Sequence, residues 1–174
     1  HSSVSKTLEY AYDDACIAWF AEAIGSKETH QHIVDRFNRR ALSYRNLFNP
    51  ETGFIQPKRG ASWLEGFDPR EVNFNYTEAN GWQYNFFTPQ DINGHIALLG
   101  GDKAYLEKLE LMFADDSQTT GRTQPDITGL IGQYAHGNEP SHHMAYLFNF
   151  VGRPDRTADL VSQIRDDLYA DAPD

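Results

Sequence analysis

Apolar residues recur at steps of three and four along most of the chain. Val4, Leu8, Ala11, Ala15, Ala18 and Trp19 form a first helical stripe, which Gly25 ends. Ile33, Phe37, Ala41, Tyr44 and Phe48 form a second, with Thr29 placed to cap it. Asn49-Pro50-Glu51-Thr52-Gly53 reads as a turn, because Pro fixes one dihedral and Gly supplies a positive φ. Residues 50–76 keep no period and read as a long loop, with short strands near Phe54-Ile55 and Ser62-Trp63-Leu64. Helical spacing resumes beyond Trp82, Phe86 and Phe87, where Pro89 opens a helix through Ile92, Ile96 and Leu99 to Gly100-Gly101. Asp102 caps the next helix, which carries Tyr105, Leu106, Leu109, Met112 and Phe113. A polar loop runs from Ala114 to Gln124. Pro140 starts a helix with Ala145, Leu147, Phe148 and Phe150 that stops at Gly152, and Pro154 opens the last, with Leu160, Val161, Ile164 and Leu168 on one face. About six helices in antiparallel hairpins, joined by long loops, predict an all-α chain.

Composition narrows what such a chain does. Its 174 residues suffice for one domain with its own core. A net charge of -10 disfavours a phosphate-backbone surface, which relies on clustered Lys and Arg, so no nucleic-acid partner is expected. No apolar run approaches the roughly 18 residues of a membrane-spanning helix, so no membrane insertion is expected. The single Cys16 excludes a disulfide framework within the chain, and its apolar neighbours predict a buried, inert thiol. Nine Tyr, 11 Phe and 3 Trp suit the walls of a carbohydrate pocket as well as a core. Asp13-Asp14 reads as a solvated face or a tie to a neighbouring loop, and Asp115-Asp116 as solvated.

Two segments carry candidate chemistry. In Phe74-Asn75-Tyr76-Thr77-Glu78-Ala79-Asn80-Gly81-Trp82-Gln83-Tyr84, one carboxylate lies among three large rings and two amides, with no Lys or Arg from 71 to 102. Burial against aromatics raises a carboxyl pKa, as a general acid near neutrality requires. The competing reading makes Thr77 and Glu78 a simple helix cap. The second segment is Gln133-Tyr134-Ala135-His136-Gly137-Asn138-Glu139-Pro140-Ser141-His142-His143. Its histidines lack the i, i+4 spacing of a zinc helix. Its oxygen donors, Asn138 and Glu139 foremost, suit calcium or sugar hydroxyls. His142, taken alone, reads first as a satisfied core histidine.

These segments, with Ser5-Lys6-Thr7-Leu8-Glu9-Tyr10-Ala11-Tyr12-Asp13-Asp14 and the run from Asp126 to His143, resemble glycoside hydrolase family 92 over essentially all 174 residues. That family comprises calcium-dependent, inverting exo-α-mannosidases with an (α/α)6 barrel as catalytic domain. The resemblance implies that residues 1–174 form part of that barrel, in a longer protein whose N-terminal β-sandwich and remaining barrel lie outside this chain. It assigns the general acid to Glu78, from the family's Thr-Glu-Gly-Asn-Ala-Trp-Gln-Tyr motif. Here Ala79 replaces the usual Gly and Gly81 the usual Ala. Asn80, Trp82, Gln83, Asn138, Glu139, His142 and His143 inherit the substrate pocket, and Asn138 and Glu139 the Ca2+ site. An inverting enzyme needs a second carboxylate about 6.5–9.5 Å from the acid. The family draws it from a Gly-Asn-Asp-Asp motif, expected beyond residue 174. The implied partners are mannose-containing glycans, α-1,2 linkages first, and the rest of the same enzyme. The implied location is secreted, periplasmic or cell-surface. A calcium-dependent mannose-binding module that has lost catalysis, or another (α/α)6 hydrolase, is the alternative.

Overall fold

A computed structural model describes residues 2–25 and 27–171. Six α-helices lie among them: α1 Ser3–Ile24, α2 Lys27–Ala41, α3 Gly81–Asn85, α4 Ile92–Leu99, α5 Asp102–Ala114 and α6 Pro154–Leu168. The first stripe is real. Val4, Ser5, Leu8, Ala11, Asp14, Ala15, Ala18 and Ala21 form the buried face of α1, and the Gly25 N–H closes the helix on the Ala21 carbonyl. Trp19 falls off that face and is exposed, edge-on to Tyr12. After a two-residue connection α2 packs back along α1. Arg40 pairs with the buried Asp14 at 2.9 Å, the tie to a neighbouring element that Asp13-Asp14 allowed. The side chain of Thr29 lies outside the described residues. Cys16 is free and only half-buried, less enclosed than expected.

The second stripe breaks after Ala41 into a 3₁₀ helix, Ser43–Leu47, which leads into a hairpin of β1 Phe48–Asn49 and β2 Phe54–Ile55. Gly53 turns it with φ +67°. Three further two-residue ladders follow. The strands β3 Lys58–Arg59 and β4 Ser62–Trp63 pair antiparallel, as do β7 Leu130–Ile131 and β8 Tyr134–Ala135. The strands β5 Glu71–Val72 and β6 Thr120–Gly121 pair in parallel. The chain is therefore helix-rich rather than strictly all-α. Two residues per strand are too few to leave an alternating pattern in sequence.

Helix starts also shift. Asp91, not Pro89, caps α4 by accepting the Gly94 N–H, and Asp102 is the first residue of α5 rather than its cap. Pro140 opens no α-helix: Glu139–Ser141 and Met144–Val151 are 3₁₀ turns. Pro154 does begin α6.

Two apolar clusters hold these elements. One gathers α1, the first hairpin and the segment after β5, with Val4, Leu8, Tyr44, Ile55, Tyr76 and Tyr84. The other joins α3 to α6 through Trp82, Phe86, Tyr105, Met112, Phe148 and Leu160. Phe67 and Leu99 pack on both, so the clusters form one continuous interior. Each fully buried side chain of this size contributes about 1.5–3 kcal/mol.

Candidate active site

Glu78 sits at the apex of a turn that is fastened on both flanks. Before it, α1 meets the chain end-on. The helix's free N-terminal amides need acceptors, and the carbonyls of Phe74 and Asn75 take those of Ser2 and Val4. Ser5, wholly buried, accepts the Thr77 N–H at 2.5 Å and donates to the Asn75 carbonyl. After it, Asn80 and Gln83 close a reciprocal capping box at the start of α3, with bonds of 3.0 and 3.2 Å. Glu78 itself adopts φ +55°, a left-handed conformation rare outside glycine. Its side chain is exposed.

The three rings expected to enclose this carboxyl point elsewhere. Tyr76, Trp82 and Tyr84 are each no more than 3% exposed and belong to the core. Trp82 stands edge-on to Phe54 at 4.7 Å, and Lys108 Nζ lies 3.4 Å from the Phe54 ring centroid. Asn80, Trp82 and Gln83, expected to touch substrate, are thus buried residues that shape the turn. Asn80 Nδ2 donates to Gln133 Oε1 and Gln83 Nε2 to the Gln133 carbonyl, while Gln133 Nε2 reaches the carbonyls of Asp115 and Ser117. This amide relay joins the Glu78 turn to the β7–β8 hairpin and to the loop after α5.

The second motif arrives at the same place. Asn138, buried, donates its side-chain amide to the Glu78 carbonyl at 3.2 Å. Gly137 lets the preceding turn pack against Thr128: a Cβ there would lie 2.0 Å from Thr128 Oγ1. Beside it opens a cleft of about 410 Å³ lined by Thr128, Gly129, His136, Gly137, Glu139, His142, Leu168 and Tyr169. Glu139 and His142 are exposed there. His143 turns inward instead, donating Nε2–H to the Phe86 carbonyl at 2.9 Å, and burial lowers its pKa.

One cluster in the cleft was absent from the sequence expectation. His136 bonds the Tyr134 hydroxyl through Nδ1 and the Tyr169 hydroxyl through Nε2, both at 2.8 Å. His142 stacks on the His136 ring at 4.9 Å and donates to its backbone carbonyl. Burial, then His142, lowers the His136 pKa, and burial pushes Tyr134 up to about 12. His136 lay within the quoted motif, but nothing in Tyr169's local sequence marks it. Ser5 did carry a signal, a polar residue set three before Leu8 on an apolar stripe.

Among the described residues no group of three or more His, Cys, Asp or Glu is placed to hold a metal. Asn138 and Glu139 supply two oxygen donors, against the six to eight (roughly) that calcium takes. Among the described residues these two donors do not by themselves make a calcium cage.

The model of the glycosyl hydrolase family 92 catalytic domain matches residues 1–174. The chain belongs to that family. Among solved structures, it is similar to the family GH92 α-mannosidase BT3965 from Bacteroides thetaiotaomicron in complex with mannoimidazole. Identity is 35% with a TM-score of 0.87, covering 99% of this chain and 23% of that one. It is also similar to the family GH92 inverting mannosidase BT2199 from the same organism, at 35% identity and a TM-score of 0.80, covering 95% and 23%. A curated relative, named an uncharacterized secreted glycosidase of Arthroderma benhamiae, is 26% identical over 176 residues, 87% of this chain and 20% of its own. This family 92 chain therefore spans under a quarter of the length of these relatives.

Proposed function

We propose that this chain is the segment of an inverting exo-α-mannosidase that carries its general acid, Glu78, on part of an (α/α)6 barrel. One observation carries the reading: the Asn138–Glu78 bond joins two motifs that lie 60 residues apart into a single site. An acid must present its carboxyl to the leaving oxygen at hydrogen-bond reach. An exposed carboxyl on a turn pinned from both flanks and from the Gly137 loop meets that demand. Glu78 protonates the glycosidic oxygen as the bond to the anomeric carbon breaks, while a carboxylate beyond residue 174 takes a proton from the attacking water. Asn80, Gln83 and Trp82 keep the turn in place from within. Glu139 and His142 face the cleft and bind hydroxyls of the terminal mannose.

Calcium belongs to this proposal as an ion of the whole enzyme. Glu139 and the side-chain oxygen of Asn138 are the proposed donors from this chain, and the remaining coordination would have to come from outside it. Bound beside Glu139, a calcium ion would supply positive charge to polarise sugar hydroxyls. Terminal α-linked mannose, α-1,2 first, is the proposed substrate. The similarity to two mannosidases supports that class, and the relative named as secreted supports export.

Replacing Glu78 by Gln in the intact enzyme tests the assignment. Turnover of α-linked mannobiose falls by about 10²–10⁴, and much less for an aryl mannoside with a good leaving group. Unchanged turnover on the disaccharide overturns it.

A further inference from the structure

The α1 helix grips the Glu78 turn at two points one helical turn apart. Ser5 takes the Thr77 N–H just before Glu78. Glu9, four residues on and so on the same face, accepts from the Tyr84 phenol at 2.6 Å, just after the capping box. Tyr84 is 1% exposed, its ring set 6.2 Å from Tyr76 and 5.9 Å from Phe87. Burial first, then the Glu9 carboxylate, push this phenol well above its usual range, so it stays protonated and its O–H donates. Among the described residues Glu9 pairs with no cation. Its partner is the phenol, in a charge-assisted bond about twice as strong as a neutral one.

We infer that Glu9 is a positioning residue for the Glu78 carboxyl, acting through Tyr84. A backbone held at φ +55° relaxes toward an ordinary conformation once a flank is loosened, and the carboxyl then leaves the line of the leaving oxygen. Ser5 fixes the approach to the turn, and the Glu9–Tyr84 bond fixes the short helix that leaves it. The inference rests on Glu78 being the acid.

The test uses the intact enzyme with two substrates: α-linked mannobiose, whose leaving sugar needs a proton, and dinitrophenyl α-mannoside, whose leaving group departs without one. Glu9→Ala and Tyr84→Phe lower kcat on the disaccharide by about 10–100-fold, with KM nearly constant. On the aryl substrate the loss stays below about 3-fold. Glu9→Gln, whose carbonyl still accepts from Tyr84, recovers most of the disaccharide rate. Equal losses on both substrates, or none on either, overturn the inference. Should Tyr84→Phe fail to unfold cooperatively on heating, the two Glu9 variants decide alone, since Glu9 is half-exposed. Glu78→Gln measured alongside separates the two ideas. If it spares the aryl substrate while Glu9→Ala does not, the positioning role is wrong and the acid assignment stands. If Glu78→Gln loses both substrates equally, the acid assignment falls and takes the inference with it.

Discussion

The side-chain amide of Asn138 donates to the backbone carbonyl of Glu78 at 3.2 Å, and Asn138 is 3% exposed. Asn138→Ala leaves that carbonyl without its partner. The expected cost is about 1–3 kcal/mol of stability and a fall in turnover of about 10-fold or more. Urea unfolding and steady-state kinetics of the intact variant check both. Wild-type turnover in Asn138→Ala means that this bond does not hold the site.

Strain at Glu78 gives a second expectation. A left-handed residue other than glycine costs about 1–2 kcal/mol. Glycine normally destabilises a protein relative to alanine. At position 78 the order reverses: Glu78→Gly melts above Glu78→Ala, and both are inactive on the disaccharide. A lower melting point for the glycine variant would contradict the positive φ.

His95 sets an acid limit on stability. It is wholly buried against Tyr44, Phe48, Phe86 and Tyr105, and neither ring nitrogen has a hydrogen-bond partner. Burial lowers its pKa from 6.5 to about 3. The unfolded chain therefore binds the proton first. The stability from keeping His95 neutral is fully present above pH 6.5 and drains away as pH falls toward 3. The total is on the order of a few kcal/mol. His95→Phe flattens this limb in unfolding curves taken between pH 7 and 4 (roughly the range where the group titrates). An unchanged slope would assign the acid loss to other groups.

Chelation supplies a further check. If the proposed calcium dependence holds, the expected outcome in the intact enzyme is loss of turnover with EDTA and its return with added calcium; turnover unchanged by EDTA overturns it. Glu139→Ala raises the calcium needed for half-maximal activity by about 10-fold or more. A titration curve identical to wild type removes Glu139 from the ion's ligands.

How much of this was written in the local sequence depends on the kind of signal. Stripes ending at Gly25 and Gly100, and Pro154 at a helix start, marked α1, α4 and α6, because three- and four-residue spacing and its terminators are local. The ladders were too short to show, and Met144–Val151 carries an apolar pattern that fits an α-helix as well as the 3₁₀ helix found. At the site, Glu139 and His142 are exposed at the cleft, and Glu78 is exposed where burial against aromatics was expected. Trp82 and Tyr84 read first as core and second as pocket walls. They are core because α3 has five residues and every one is buried, leaving no face for ligand. That fact depends on what surrounds the helix, as does the pairing of His136 with Tyr169, 33 positions away.

The fastenings of the Glu78 turn reach far along the chain: 72 residues to Ser5, 75 from Tyr84 to Glu9 and 60 to Asn138. Loops of that size close late, since their entropy is lost before any bond is gained. The geometry of the Glu78 turn is thus completed late in folding. A newly made chain forms its local helices before that turn is fastened, and a protease cut in either of two distant segments, α1 or the Asn138 loop, would release part of the fastening.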